Sequence, residues 1–127
     1  MTTHSGGCHC GRIRFEIDAP ADIDATECNC SICSMSGFLH LFVSKSQFRL
    51  LSGEGDLSTY TFGSGIAQHN FCRRCGVKSF YVPRSHPDGY SVNVRCLDPS
   101  TISSLSTSSF DGRNWEQNVS KLSPLND

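Results

Sequence analysis

No stretch of this sequence approaches the ~20 consecutive apolar residues that cross a bilayer as a helix. A membrane-spanning helix is therefore not expected, and neither is a membrane partner. Charge of one sign is also missing. Eleven Lys and Arg stand against 12 Asp and Glu, for a formal net charge of −1, and no basic run appears. Such a balance leaves no electrostatic footprint for nucleic acid. Apolar residues are sparse at 37%, so a chain of 127 residues builds a modest core that a metal cross-link would strengthen. A sustained apolar period of about 3.6 residues is absent, which argues against a helical bundle. No internal repeat stands out, and one domain over residues 1–127 is expected. The first residues, MTTHSGGCHCGRIRFEI, hold no apolar segment of the kind a secretory signal needs. A cytoplasmic location is the resulting expectation, and disulfides are rare there.

What the sequence does have is glycine and cysteine. Gly6-Gly7, Gly11, Gly37, Gly53, Gly55, Gly63, Gly65, Gly76 and Pro87-Asp88-Gly89 punctuate short runs that read as strands. Residues 12–17 and 90–95 alternate polar and apolar, and 39–43 is short and apolar. Residues 48–51 and 57–62 flank a Gly-Glu-Gly-Asp turn, which predicts a hairpin. Residues 67–71 and 77–82 flank a Cys-x-x-Cys turn. Short helices are expected after Asn29 or near 113–119, and the Ser/Thr-rich stretch 100–109 reads as an exposed loop. The fold class predicted is all-β, with long loops pinned by metal.

The eight cysteines fall into four groups: Cys8-x-Cys10, Cys28-x-Cys30-x-x-Cys33, Cys72-x-x-Cys75 and a lone Cys96. Zn²⁺ takes four ligands in a tetrahedron, with thiolates at about 2.3 Å. A Cys-x-x-Cys turn can aim both sulfurs at one ion, and Cys-x-Cys places two on the same side of an extended chain. Gly11 and Gly76, each following a second cysteine, permit turns that direct N–H groups at sulfur. Pairing Cys8 and Cys10 with Cys72 and Cys75 makes a closed four-sulfur site of structural type. The triplet Cys28, Cys30 and Cys33 leaves one position open, the pattern of a catalytic zinc. A disulfide framework and a single zinc with scattered free thiols are the competing readings. Iron–sulfur ligation uses the same donors. Cys96 either completes the triplet or is a small buried hydrophobe.

Taken in order, GGCHCG, CNCSIC with the following Ser34-x-x-Gly37-Phe38, FCRRCG, VNVRCLD and FDGRNWE resemble the glutathione-dependent formaldehyde-activating enzymes, a family that includes the centromere protein V relatives. The resemblance runs from about Gly6 to about Trp115. It implies an Mss4-like fold of antiparallel sheets clamped by zinc. Cys8, Cys10, Cys72 and Cys75 then match the structural zinc, and Cys28, Cys30 and Cys33 the catalytic one. The implied activity is that of a carbon–sulfur lyase. It forms S-(hydroxymethyl)glutathione from glutathione and formaldehyde, so a small-molecule thiol and an aldehyde are the implied partners.

On this reading an incoming thiol is deprotonated at the open position and attacks the aldehyde carbon. Three anionic ligands make the ion a weak Lewis acid, which favours a thiol-holding role. Glutathione carries two carboxylates, so Arg73, Arg74, Lys78 and Arg84 are candidates for a cationic pocket, against an ordinary solvated surface. His40, His69 and His86 are candidate proton carriers, because imidazole titrates near neutrality. His9, between two ligands, is expected to point away. Phe38, Phe110 and Trp115 read first as core and second as a pocket wall. Two other functions compete: a non-catalytic zinc-stabilised interaction module, and redox or metal sensing by the triplet.

Overall fold

Side chains alternate across an extended chain, and the polar–apolar alternation of the N-terminal third forms strand as that rule requires. The computed structural model describes residues 1–122. Its strands are β1 (Thr2–Gly7), β2 (Arg14–Ala19), β3 (Asp22–Cys28), β4 (Leu39–Ser44), β5 (Phe48–Ser52), β6 (Leu57–Tyr60), β7 (His69–Cys72), β8 (Phe80–Tyr81), β9 (Gly89–Asn93) and β10 (Ser104–Phe110). Two short α-helices accompany them, α1 (Ser31–Ser36) and α2 (Trp115–Asn118). The all-β class expected from the sequence is the class observed.

Strands β1, β2 and β5 make one antiparallel sheet, with β2 in the centre. A five-stranded sheet has the order β10-β3-β4-β9-β8, and β6 and β7 form a separate pair. On β2, Phe15, Ile17 and Ala19 turn inward. Rings from both larger sheets meet there. Phe15 stacks on Phe48 at 5.3 Å and meets Phe80 edge-on at 5.7 Å, while Phe48 stacks on Tyr90 at 4.3 Å. Such pairs add to the area term of burial.

Four expectations need correction. Residues 48–62 are not a hairpin. Strand β5 pairs with β2, and β6 pairs with β7, because a 3-10 turn at Glu54–Asp56 sends the chain to a different sheet. Residues 104–110 are not a loop. They form β10, which lies parallel to β3 and so departs from the antiparallel pattern. Its residues before Phe110 are exposed, so no apolar alternation marks it. Ser104 and Ser106 instead hydrogen-bond Asp22 and Asp24 of β3. Gly6 and Gly7 do not break the chain but end β1. A Cβ on Gly6 would lie 2.7 Å from the Cys96 carbonyl oxygen and 2.9 Å from the Phe15 ring, so glycine here serves close packing. The alternation at 90–95 stops at Asn93, whose side chain accepts the Arg95 N–H and caps a 3-10 turn.

Among the described residues no helix is long and apolar enough to cross a membrane. Replacing Phe15 with Ala is expected to cost about 3–5 kcal/mol in urea unfolding of the metal-loaded protein. Leu105→Ala, on the exposed face of β10, should shift stability by about 0.5 kcal/mol or less.

Candidate metal centres and the cavity beside them

Two sulfur clusters form, and distant parts of the chain build the first. Cys8 and Cys10 follow β1; Cys72 ends β7 and Cys75 lies in the turn beyond it. The two turns share a construction. Cys8 N–H donates to the Ile13 carbonyl and Cys72 N–H to the Val77 carbonyl, each at 3.1 Å. Gly11 and Gly76 take φ of 82° and 77°, a left-handed backbone that only glycine adopts without strain. Their four sulfurs lie within 4.8 Å of one another. Cys10 Sγ is 3.6 Å from both Cys8 Sγ and Cys72 Sγ. A tetrahedron of thiolates at about 2.3 Å from a central ion has sulfurs about 3.8 Å apart, so the donor set fits a metal. Backbone amides support the negative sulfurs. Ile13 N–H donates to Cys8 Sγ at 3.3 Å. Burial pushes the Cys75 thiol up, but N–H groups of Val77 and Cys10 and hydrogen bonds from Cys72 and Cys8 outweigh it, bringing it to about 6.

The second cluster is local. Cys28 ends β3, Cys30 is the N-cap of α1 and Cys33 lies in its first turn. The helix stops after one and a half turns because Gly37, at φ 65°, returns its N–H to the Cys33 carbonyl. These three sulfurs also lie within 4.8 Å of one another. Hydrogen bonds from Cys28 and Cys33 hold the Cys30 thiol far below its ordinary value. Hydrogen bonding to its two neighbours raises Cys33, and the bond to Cys30 raises Cys28. One ionised sulfur thus suppresses the other two, and a divalent cation would allow all three to ionise.

Cys96 belongs to neither cluster. It is half-buried, its Sγ lies 4.0 Å from the Lys78 carbonyl oxygen, and burial pushes its thiol up to about 11.

A cavity of about 420 Å³ opens over the triplet, lined by Cys28, Cys30 and Cys33 together with residues from five other segments. Small-molecule sites occupy about 300–1,000 Å³. His40, His69, Tyr81, Trp115 and Phe110 line it; Phe110 is buried as well as pocket wall, whereas Trp115 is half-buried and pocket wall only. Phe38 stays in the core, 4.6 Å from the His40 ring. His40 is engaged at both nitrogens, with Nε2 3.2 Å from Cys33 Sγ and Nδ1 2.8 Å from Ser91 Oγ and 3.3 Å from the Tyr81 hydroxyl. Burial lowers its pKa to about 4, and the Lys78 charge adds to this. His86 is not among the lining residues; its ring packs 4.7 Å from Phe42. His9 is exposed and outside the cluster.

The cationic pocket differs from the sequence expectation. Arg73 and Arg74 are exposed and absent from the cavity lining, and Arg73 lies 3.8 Å from Asp56. Arg84 does line the cavity, stacked 3.7 Å over Trp115 and 2.6 Å from Glu116. Lys78 sits behind the lining, its Nζ 3.9 Å over the Tyr81 ring.

Sequence reasoning missed three residues here. Arg113 lines the cavity and donates through Nε to the Asn29 carbonyl at 2.9 Å. Asn29, inside the Cys-x-Cys, receives the Arg113 N–H on Oδ1 at 3.0 Å and donates to Asp111 at 3.0 Å. Gly112 is buried against the cluster, where a Cβ would collide with Cys28 Sγ and come within 3.1 Å of Cys30 Cβ. The FDGRNWE stretch was the available signal, although nothing in its composition shows that it closes over sulfurs some 80 residues earlier.

The profile of the family described as "glutathione-dependent formaldehyde-activating enzyme" matches residues 3–111. A Rhodobacter sphaeroides protein of known crystal structure is similar at 33% identity and a TM-score of 0.69, over 82% of this chain and 99% of that one.

Metal analysis is expected to give two ions per chain, falling to one in Cys30→Ser and in Gly112→Ala. Cys96→Ser should retain two. A loss of one ion in that variant would place Cys96 among the ligands and overturn the grouping.

Proposed function

Given that the chain belongs to the glutathione-dependent formaldehyde-activating enzyme family, we propose that it is a zinc enzyme joining a thiol to an aldehyde over the Cys28–Cys30–Cys33 cluster. The observation that carries this reading is the contrast between the two sulfur groups. The four-sulfur set saturates a tetrahedral ion, whereas the three-sulfur set leaves a ligand position and lines a cavity. We assign Cys8, Cys10, Cys72 and Cys75 to a structural zinc and Cys28, Cys30 and Cys33 to the reactive one. Bound at the triplet, zinc would lower the pKa of a thiol and hold it as thiolate.

The rest falls to the protein. Gly112 leaves room beside Cys28, and the Asn29 hydrogen bonds to Asp111 and Arg113 hold the 110–113 segment against the cluster. Walls at Phe42, Phe62, Tyr81 and Trp115 limit water around the reacting atoms. Overall, the thiol sulfur bonds to the aldehyde carbon, and the proton released by the thiol ends on the former carbonyl oxygen. The activity class is that of a carbon–sulfur lyase run in the direction of synthesis. Glutathione is the thiol favoured by the family, and formaldehyde the aldehyde. Arg84 and Arg113 at the cavity are the cations suited to its carboxylates. Free thiolates require a reducing compartment, and the cytoplasm is the one we assign. Because Cys96 stays outside the triplet, a filled second site, the main support for a non-catalytic module, is disfavoured.

Exchange NMR on a mixture of glutathione, formaldehyde and the two-ion protein tests this directly. Acceleration over buffer is expected, and none would contradict the function. Arg84→Ala should raise KM for glutathione about tenfold, while leaving 2-mercaptoethanol, which has no carboxylate, within about twofold.

A further inference from the structure

Two imidazoles line the cavity, and they differ in what they have left to offer. His40 has both nitrogens engaged, by Cys33, Ser91 and Tyr81. His69, on β7, has only Nδ1 engaged, 2.7 Å from Lys78 Nζ. An ammonium carries donors and no acceptor, so Nδ1 must accept, and the proton of the neutral ring sits on Nε2. Among the described residues no fully buried side-chain nitrogen or oxygen lacks a hydrogen-bond partner. His69 Nε2, which makes no hydrogen bond, therefore keeps some exposure, and the residue lines the cavity. The ring plane is fixed as well. It stacks on Tyr81 at 4.9 Å and 17° and on Phe62 at 5.4 Å and 20°. Lys78 is held in turn over Tyr81 at 3.9 Å and Phe38 at 5.1 Å.

We propose that His69 is a catalytic hydrogen-bond donor to the aldehyde oxygen, with Lys78 as the positioning residue that fixes its tautomer. The inference rests on the thiol–aldehyde reading above and adds to it the group that receives the developing charge. When the thiolate attacks, the carbon–sulfur bond forms and the π pair of C=O moves onto oxygen. A neutral N–H aimed at that oxygen stabilises the alkoxide as it appears, without giving up its proton. The alkoxide then takes from water the proton that the thiol released, so the sum is thiol plus aldehyde to hydroxyalkyl thioether. Burial and the Lys78 charge draw His69 down to about 4, so the ring is neutral at pH 7. Burial brings Lys78 to about 8, which leaves most of it charged there.

The test combines spectroscopy and kinetics on the two-ion protein. Nitrogen-15 NMR of the wild type should show His69 protonated at Nε2 and bare at Nδ1, with Lys78→Met giving mixed tautomers. His69→Phe should keep two metal ions and a thiol KM within about twofold, while turnover falls about 100-fold. His69→Gln, which restores an N–H donor, should recover part of that loss. Wild-type turnover in His69→Phe, or a proton on Nδ1, would overturn the proposal. A wild type that fails to accelerate exchange would instead remove the proposed function, and the catalytic role of His69 with it.

Discussion

Ionised sulfurs at van der Waals distance repel one another, and only a cation between them makes the arrangement stable. This fold places seven sulfurs in two such groups. The four-sulfur group ties the end of β1 to the end of β7, more than 60 residues later. It therefore closes a loop that includes β2 through β6. A chain with a core this modest would gain from a metal cross-link there. The same repulsion shapes the triplet, where one thiolate forces its neighbours to keep their protons until positive charge arrives.

The candidate site is an assembly of separate segments around that local cluster. Cys28 to Cys33 is the floor. Strands β4, β7 and β8 bring His40, His69 and Tyr81 to its side, and the stretch after β10 closes over it through Gly112 and Arg113. The parallel pairing of β10 with β3 has a consequence for function. Its register ends with Phe110 opposite Cys28, which delivers Asp111 to Arg113 beside Asn29. A strand without a buried face until its last residue thus positions the roof of the site.

How much of this could be read from the sequence follows from which forces are local. The grouping of the cysteines was legible, since Cys-x-Cys and Cys-x-x-Cys constrain sulfur direction within a few residues. The strand expected from alternation at 12–17 lies at 14–19, where one face is buried, and the one expected from the short apolar run at 39–43 lies at 39–44. Strand β10 was not legible, because its stability comes from side-chain bonds between Ser104, Ser106 and the aspartates of β3, which leave no apolar pattern. The hairpin expected at 48–62 failed because turn chemistry specifies a change of direction and not the partner strand. Of the cationic candidates Arg84 reaches the cavity, and the others were misplaced for a similar reason. Proximity in sequence pointed to Arg73 and Arg74, whereas Arg113 reaches the cavity through the fold. For His69, the sequence marks a titratable ring, and only the Lys78 contact argues for which nitrogen carries its proton.

X-ray absorption at the metal edge tests the central claim most directly. Seven sulfurs shared by two zinc ions predict an average of about 3.5 sulfurs per ion. One light-atom neighbour should fill the remaining half-position, and the sulfur distances should lie at about 2.3 Å. An average of four sulfurs per ion, with no light-atom neighbour, would mean that the triplet is closed and would contradict the account.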